Sequence, residues 1–201
     1  MKDLTKTVLI CILAILLNFV VAYFFLDFLH LPLFLDTIFT VAVTFYCGLV
    51  PGICVAVGYN IIATSTTVIR GFAFEPLTML FGITGALIAL VTWFFARKKD
   101  EFRITPVITL LYLVLISVLS SFVAIVSSGF IDYFRYTLND FPDRIAPIKE
   151  FTYSFVHQKF SLFASCFLGQ IPVSLTDRFI TTFAGFGVYK LMVRQLGEEK
   201  W

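Results

Sequence analysis

Long stretches without a charged side chain, separated by short charged segments, make up most of the chain. Residues 7–26 form the first such stretch, and about 20 apolar residues are enough for a helix to cross a bilayer. Residues 37–69 are also uncharged but are too many for one span, and Gly48, Pro51 and Gly52 predict a turn between two helices. The pattern therefore predicts a series of apolar helices, the second and third of which form a hairpin.

The last third of the chain allows two interpretations. In one, residues 147–169 and 171–193 are separate spans, which leaves Lys149, Glu150 and neighbouring polar residues in or near lipid. In the other, a single span follows a long outer segment. A charge at the bilayer centre costs at least ~2.5–3.5 kcal/mol, so we choose the single span. Residues 151–169 are then an interfacial or partly re-entrant helix.

The chain is thus predicted to be an all-α integral membrane protein with one membrane domain, 1–201. It is expected to have six transmembrane helices and an outer interfacial helix between helices 5 and 6. The predicted spans are approximately 7–26, 33–49, 51–69, 76–96, 106–129 and 172–193, and the outer interfacial segment is 130–170.

The composition excludes an ordinary soluble domain. Of the 201 residues, 59% are hydrophobic and 14% are charged, whereas soluble domains have about 45–50% apolar and about 25% charged residues. The formal net charge of +2 is too small to indicate a nucleic-acid partner. This composition is typical of a protein that lies in a lipid bilayer.

Lys and Arg residues are concentrated on one side of the predicted bundle. Nine of the 15 lie in segments on the side of the N-terminus, and four of these are in the short segment 97–103. Short loops rich in Lys and Arg face the cytoplasm. We therefore predict a multi-pass protein of the cytoplasmic membrane with both termini in the cytoplasm.

Two predicted helices carry small or polar residues at every fourth position. In helix 3 this stripe ends in Asn60 and Thr64, and a buried amide needs a hydrogen-bond partner from another helix or from a ligand. In helix 1 the stripe consists of Ala14, Asn18 and Ala22. Contact with a partner helix is the interpretation that we prefer for this second stripe.

Four further residues on the outer side are candidate ligand contacts: Glu75, His157, Asp177 and Arg178. Adjacent residues of a helix point about 100° apart, so we expect at least one of Asp177 and Arg178 to face the interior. The alternative for Arg178 is that it anchors helix 6 at the lipid headgroups. For His157 the alternative is a solvated polar face.

If these side chains converge with Asn60 and Thr64, they bring amide, carboxylate and guanidinium groups into a largely apolar cavity. This is the usual composition of a small-molecule site. Arg178 would then hold a carboxylate or phosphate of the ligand, because its planar fork matches two oxygens. The aromatic side chains of 151–167 would cover an apolar ring.

Signatures of known catalytic sites are missing from the sequence. It contains no GxSxG, no HExxH and no pair of histidines at metal-ligand spacing, and it has no GxxxxGK[ST] phosphate loop. We therefore expect a protein that is not an enzyme, that has neither a cofactor nor a metal site, and that does not itself hydrolyse a nucleotide.

Three segments carry a resemblance to a known family: LDTIFT at 35–40, YCGLVPGICVAVGYN at 46–60 and GQIPVSLTDRF at 169–179. The chain resembles the substrate-binding S components of energy-coupling factor (ECF) transporters, and S-component-like membrane proteins. It is similar to them in size, in the six predicted spans, in the predicted cytoplasmic termini and in the Gly/Pro hairpin.

The resemblance implies a subunit that captures a small organic ligand, such as a vitamin or its precursor, from the outer side. It also implies partners: a transmembrane coupling protein and ATPase subunits. The alternative is an S-component-like membrane sensor or regulatory module that acts through a separate output protein.

Overall fold

The computed structural model describes residues 2–69, 74–98, 100–103, 105–139 and 146–197. All the regular structure in these ranges is helical. The helices are α1 (Lys2–Tyr23), α2 (Ile38–Cys47), α3 (Leu49–Ser65), α4 (Phe81–Ala96), α5 (Pro106–Asn139), α6 (Ala146–His157) and α7 (Leu162–Leu196). One short π-helix, Phe24–Phe28, extends α1, and two short 3₁₀-helices precede α4 and α5 at Pro76–Leu80 and Glu101–Arg103.

Three helical segments of the described chain are long and apolar enough to cross a membrane: Leu4–Phe28, Pro76–Ala96 and Pro106–Asn139. Two shorter helices, Ile38–Cys47 and Leu49–Ser65, are also apolar. The prediction of an all-helical chain is confirmed, and these apolar segments agree with a membrane protein.

The turn between α2 and α3 comes earlier than the sequence predicts. Gly48, with φ of 92°, ends α2, and α3 begins at Leu49, so Pro51 lies in its first turn. A proline is tolerated there because the first N–H groups of a helix have no intrahelical acceptor. A residue with a Cβ would be strained at this φ, so Gly48 permits the sharp change of direction.

The predicted outer segment 130–170 is divided among three helices in the structure. The helix α5 continues to Asn139, α6 is a separate helix, and α7 begins at Leu162 rather than near Pro172. The side chain of Ser161 accepts a hydrogen bond from the Ala164 N–H, which caps α7. Residues 140–145 lie outside the described residues.

Pro172 misleads the sequence interpretation because a proline is a common helix start. It lies inside α7, which packs against α5 on one side and α6 on another. A proline inside a helix removes one backbone hydrogen bond, and tertiary packing on two neighbours stabilises the helix around it. At about 1.5 Å per residue, α5 and α7 are each about 50 Å long.

Aromatic side chains fill the end of the bundle near the N-terminus. Phe45 packs edge-on against Phe102 and Phe186, with ring centroids 5.8 Å and 5.4 Å away, and Tyr189 joins the same cluster. Next to them the Lys6 ammonium donates to the Tyr46 hydroxyl over 3.2 Å. The buried charged side chains among the described residues lie towards the opposite end.

Gly185 marks the closest approach of α7 to α2. A Cβ built on it would lie 2.7 Å from the Ile38 carbonyl oxygen and 2.8 Å from the Val41 Cβ. Gly187, about half a turn away, would have nothing within 4 Å of an added Cβ and offers a control in the same helix. The contrast between the two glycines gives a direct test of this packing.

We expect Gly185→Ala to lower the free energy of unfolding by about 1–3 kcal/mol, the usual cost of overpacking. Gly187→Ala should leave it unchanged or raise it by up to about 1 kcal/mol, because alanine favours helix. Thermal unfolding of the detergent-solubilised variants measures both. Equal stability of the two variants would contradict the close approach of α7 to α2.

Candidate functional site

Two clusters of buried charged side chains lie at the end of the bundle away from the aromatic cluster. The Arg178 cluster consists of Asp36, Thr37, Asp177 and Arg178. The Arg135 cluster consists of Glu75, Asp132, Arg135 and Gln170. In each cluster one guanidinium meets two carboxylates. The clusters use residues of the segments before α2 and α4 and of the helices α5 and α7.

The Arg178 cluster connects α7 to the segment that precedes α2. The guanidinium of Arg178 donates from Nη1 to Thr37 Oγ1 over 2.5 Å and from Nη2 to Asp36 Oδ1 over 3.2 Å. The Nη2 atom also forms an ion pair with the Asp177 carboxylate. From the sequence we expected the Arg178 guanidinium to bind a carboxylate or phosphate of the ligand. In the structure this guanidinium already contacts two carboxylates of the protein.

Asp177 and Arg178 both face the interior, with exposed fractions of 0% and 6%. Two adjacent residues of one helix can do so because the long Arg178 side chain bends back onto Asp177. The other oxygen of Asp177, Oδ1, accepts the backbone N–H of Leu35 over 2.8 Å. Leu35 has φ of 46°, which is uncommon for a residue with a Cβ, and this bond holds it there.

The Arg135 cluster connects α5 to the segment before α4 and to α7. Nε and Nη2 of Arg135 each donate over 2.7 Å to the two oxygens of Glu75, and Nη1 donates over 2.7 Å to Asp132 Oδ1. The second Asp132 oxygen accepts the Gln170 amide over 2.5 Å. Burial of these ionic groups is tolerated because each is hydrogen-bonded to an opposite charge or an amide.

A cavity of about 140 Å³ lies between the two clusters. An apolar cavity of about 150 Å³ holds a molecule the size of benzene, so the space suits one small ring. Five aromatic residues line it, together with hydroxyl, amide and charged side chains. The aromatic residues are Phe19, Tyr23, Phe34, Tyr59 and Phe81. The other polar or charged lining residues are Asp27, Asp36, Thr37, Asn60, Thr64, Thr78, Thr84, Ser128, Gln170, Ser174 and Arg178.

Three of the site residues predicted from the sequence line this cavity: Asn60, Thr64 and Arg178. The Asn60 amide donates to the Ala56 carbonyl over 3.0 Å, which leaves its oxygen for another partner. The Thr64 hydroxyl is hydrogen-bonded to that of Thr78 over 3.0 Å. Amide, hydroxyl and guanidinium groups therefore do converge.

The other predicted site residues lie outside the lining. Glu75 and Asp177 lie behind the lining residues, where they form ion pairs with Arg135 and Arg178, respectively. His157 is exposed at the end of α6, where its ring lies 6.5 Å from that of Tyr153. The predicted cover of aromatic side chains from 151–167 does not form. Phe163 and Phe167 pack instead on Phe130 of α5.

The stripe predicted on helix 1 packs against helices of the same chain. Ala14 contacts Val43 of α2 and Val55 of α3 in a small apolar cluster. The Asn18 amide donates to Thr40 Oγ1 over 3.1 Å, and its oxygen accepts the Phe39 N–H over 3.0 Å. Ala22 lines the cavity. Contact of this stripe with a separate partner protein stays a prediction.

Sequence reasoning missed Asp132, Arg135 and Gln170, because it assigned 130–170 to an outer segment. One signal was available. Asp132 and Arg135 are separated by three positions, and this spacing brings the two side chains together on one helical face. It becomes informative only if the helix that starts at Pro106 is extended past residue 129.

Among the described residues no group of three or more His, Cys, Asp or Glu side chains is arranged to hold a metal ion. The arrangement offers binding groups on the wall of a partly open cavity. Comparison of the chain with protein-family models, with curated proteins and with solved structures gives no match.

Proposed function

We propose that this protein binds a small organic molecule within the membrane, as the substrate-binding subunit of an ECF-type importer. The observation that carries the proposal is the cavity, because it combines aromatic walls with amide, hydroxyl and charged groups at one end of the bundle. Small-molecule sites have this composition. The resemblance of 35–40, 46–60 and 169–179 to S components supports the transport part of the proposal.

In the proposed arrangement, α1, α2, α3, α4, α5 and α7 form the six-helix membrane bundle, and α6 lies at the outer surface. The segment that contains Arg97 and Lys98 faces the cytoplasm together with both termini. The cavity then opens on the outer half of the membrane. Ligand captured there would be released inward only with the coupling protein and its ATPases.

Labelling of single cysteines in intact cells tests this orientation. With the four native cysteines replaced, a cysteine at Arg97 should be protected from a membrane-impermeant reagent, and one at Asn139 should react. Both positions are exposed in the structure, so burial does not confound the comparison. Reaction at position 97 with protection at position 139 would reverse the topology.

Identification of co-purified molecules tests ligand binding itself. We expect mass spectrometry of the gently solubilised protein to detect a small organic molecule that Ala63→Leu removes, because Ala63 lines the cavity and the added atoms fill it. Val57→Leu is the matched control, since Val57 lies on the exposed face of the same helix. A molecule retained equally by both variants would lie elsewhere, and its binding would not support the proposal.

Transport by the isolated subunit would contradict the importer role. Reconstituted into vesicles alone, the protein should neither accumulate its ligand against a gradient nor hydrolyse ATP. Accumulation without partner subunits would show an autonomous transporter.

A further inference from the structure

We propose that the ligand of this cavity is a small aromatic cation, such as a protonated amine on a single ring. The inference rests on the proposed function, because it specifies the ligand class of the same cavity. It replaces the anionic ligand that the Arg178 guanidinium suggested from the sequence. Two observations carry it: the charge balance and the aromatic walls.

The charge balance of the cavity wall is negative. Arg178 is shared by Asp36 and Asp177, so this cluster has two carboxylates for one guanidinium. Asp36 lines the cavity, and 20% of its side chain is exposed. One of the two carboxylates that share Arg178 therefore borders the cavity. An uncompensated charge in a low-dielectric interior is strongly unfavourable, and a cation placed beside it restores the balance.

The second cluster also has two carboxylates for one guanidinium, but only Gln170 of this cluster lines the cavity. Glu75 and Asp132 share Arg135, and Gln170 links Asp132 to the cavity by donating its amide hydrogen. The Gln170 carbonyl oxygen accepts a hydrogen bond from the Ser174 hydroxyl over 3.4 Å, and both residues line the cavity. Neither cluster therefore presents an unpaired cation to the cavity.

Aromatic rings complete a site for an organic cation. The faces of aromatic rings attract ammonium groups, and desolvation increases this attraction. The rings of Phe19, Tyr23, Phe34, Tyr59 and Phe81 line the cavity. Phe81 already lies 5.4 Å from the Arg135 guanidinium carbon, which shows a cation against an aromatic ring in this wall.

The competing explanation is a proton. If one carboxylate of the Arg178 cluster carries a proton, the wall is neutral and the cavity prefers an uncharged ring. The two explanations differ in the charge of the preferred ligand, so three probes of one size separate them. Benzylamine is cationic at neutral pH, benzyl alcohol is neutral and benzoate is anionic.

The experiment measures the affinity of the full-length protein in detergent for each probe by equilibrium binding, after removal of any co-purified molecule. We expect benzylamine to bind at least about tenfold more tightly than benzyl alcohol, which equals about 1.4 kcal/mol, and benzoate to bind most weakly. Asp36→Asn should reduce this preference, because it removes the charge of one of the two lining carboxylates, Asp27 and Asp36, and keeps an oxygen that accepts from Arg178.

Glu150→Gln is the control, since it removes an exposed carboxylate that does not line the cavity, and it should keep benzylamine ahead of benzyl alcohol. Binding of benzyl alcohol reports whether each variant retains the cavity. If the wild-type protein binds benzyl alcohol or benzoate as tightly as benzylamine, the cation assignment is wrong and the proposed binding function remains. If no probe binds, the assignment also fails, and the co-purification experiment with Ala63→Leu decides the proposed function separately.

Discussion

Replacing Arg135 with methionine should destabilise the protein by about 3–5 kcal/mol, the cost of leaving buried charges without their partner. The guanidinium makes three hydrogen bonds of 2.7 Å to Glu75 and Asp132, and its exposed fraction is 0%. Removal would leave two neighbouring carboxylates in the interior. Both carboxylates would have to take up protons or become hydrated. The segment before α4 would also lose the hydrogen bonds that connect it to α5.

Thermal and denaturant unfolding in detergent measure this loss, with Arg97→Met as the matched control. Arg97 is exposed at the end of α4, where it lies over the Trp93 ring, so its removal should cost less than about 1 kcal/mol. The triple variant Glu75→Gln, Asp132→Asn, Arg135→Met should recover part of the stability, because it removes the stranded charges. Equal stability of Arg135→Met and Arg97→Met would show that the Arg135 cluster is not buried as described.

Replacing Arg178 with alanine should reduce ligand affinity by about 2 kcal/mol or more, because it removes the charge-assisted hydrogen bonds that hold this side of the cavity in place. Arg178 both lines the cavity and holds Asp36 and Thr37 against α7. Its removal would release the segment before α2 and leave Asp36 and Asp177 to repel each other. Affinity for the co-purified molecule is the quantity to measure.

Arg194→Ala is the control for this variant, because Arg194 is exposed near the end of the same helix. Arg178→Lys should have an intermediate affinity, since lysine keeps the charge but does not reproduce the fork of donors. If Arg178→Ala binds with unchanged affinity and only its stability or membrane insertion falls, then Arg178 anchors α7 and does not belong to the site.

The class of the protein followed from local properties of the sequence. Uncharged stretches of about 20 residues predict apolar helices whatever their neighbours are, because the cost of charge in lipid depends on each residue separately. The apolar segments Leu4–Phe28, Pro76–Ala96 and Pro106–Asn139 are found where such stretches predict them. Asn60 and Thr64 were also accessible from sequence, because a spacing of four places both on one face of α3.

The partners of the buried charges depended on tertiary structure. Glu75 lies 60 positions from Arg135, and Asp36 lies 142 positions from Arg178, so no local pattern connects them. From the sequence we expected Arg178 to bind an anionic group of the ligand, because its neighbour Asp177 was expected to point about 100° away. Packing of α7 against the segment before α2 adds Asp36 to the neighbouring Asp177, so that two carboxylates meet one guanidinium. Packing also determines where the helices of the last third begin and end. Local propensity alone predicts a helix start at Pro172, whereas contacts with α5 and α6 stabilise α7 on both sides of this residue.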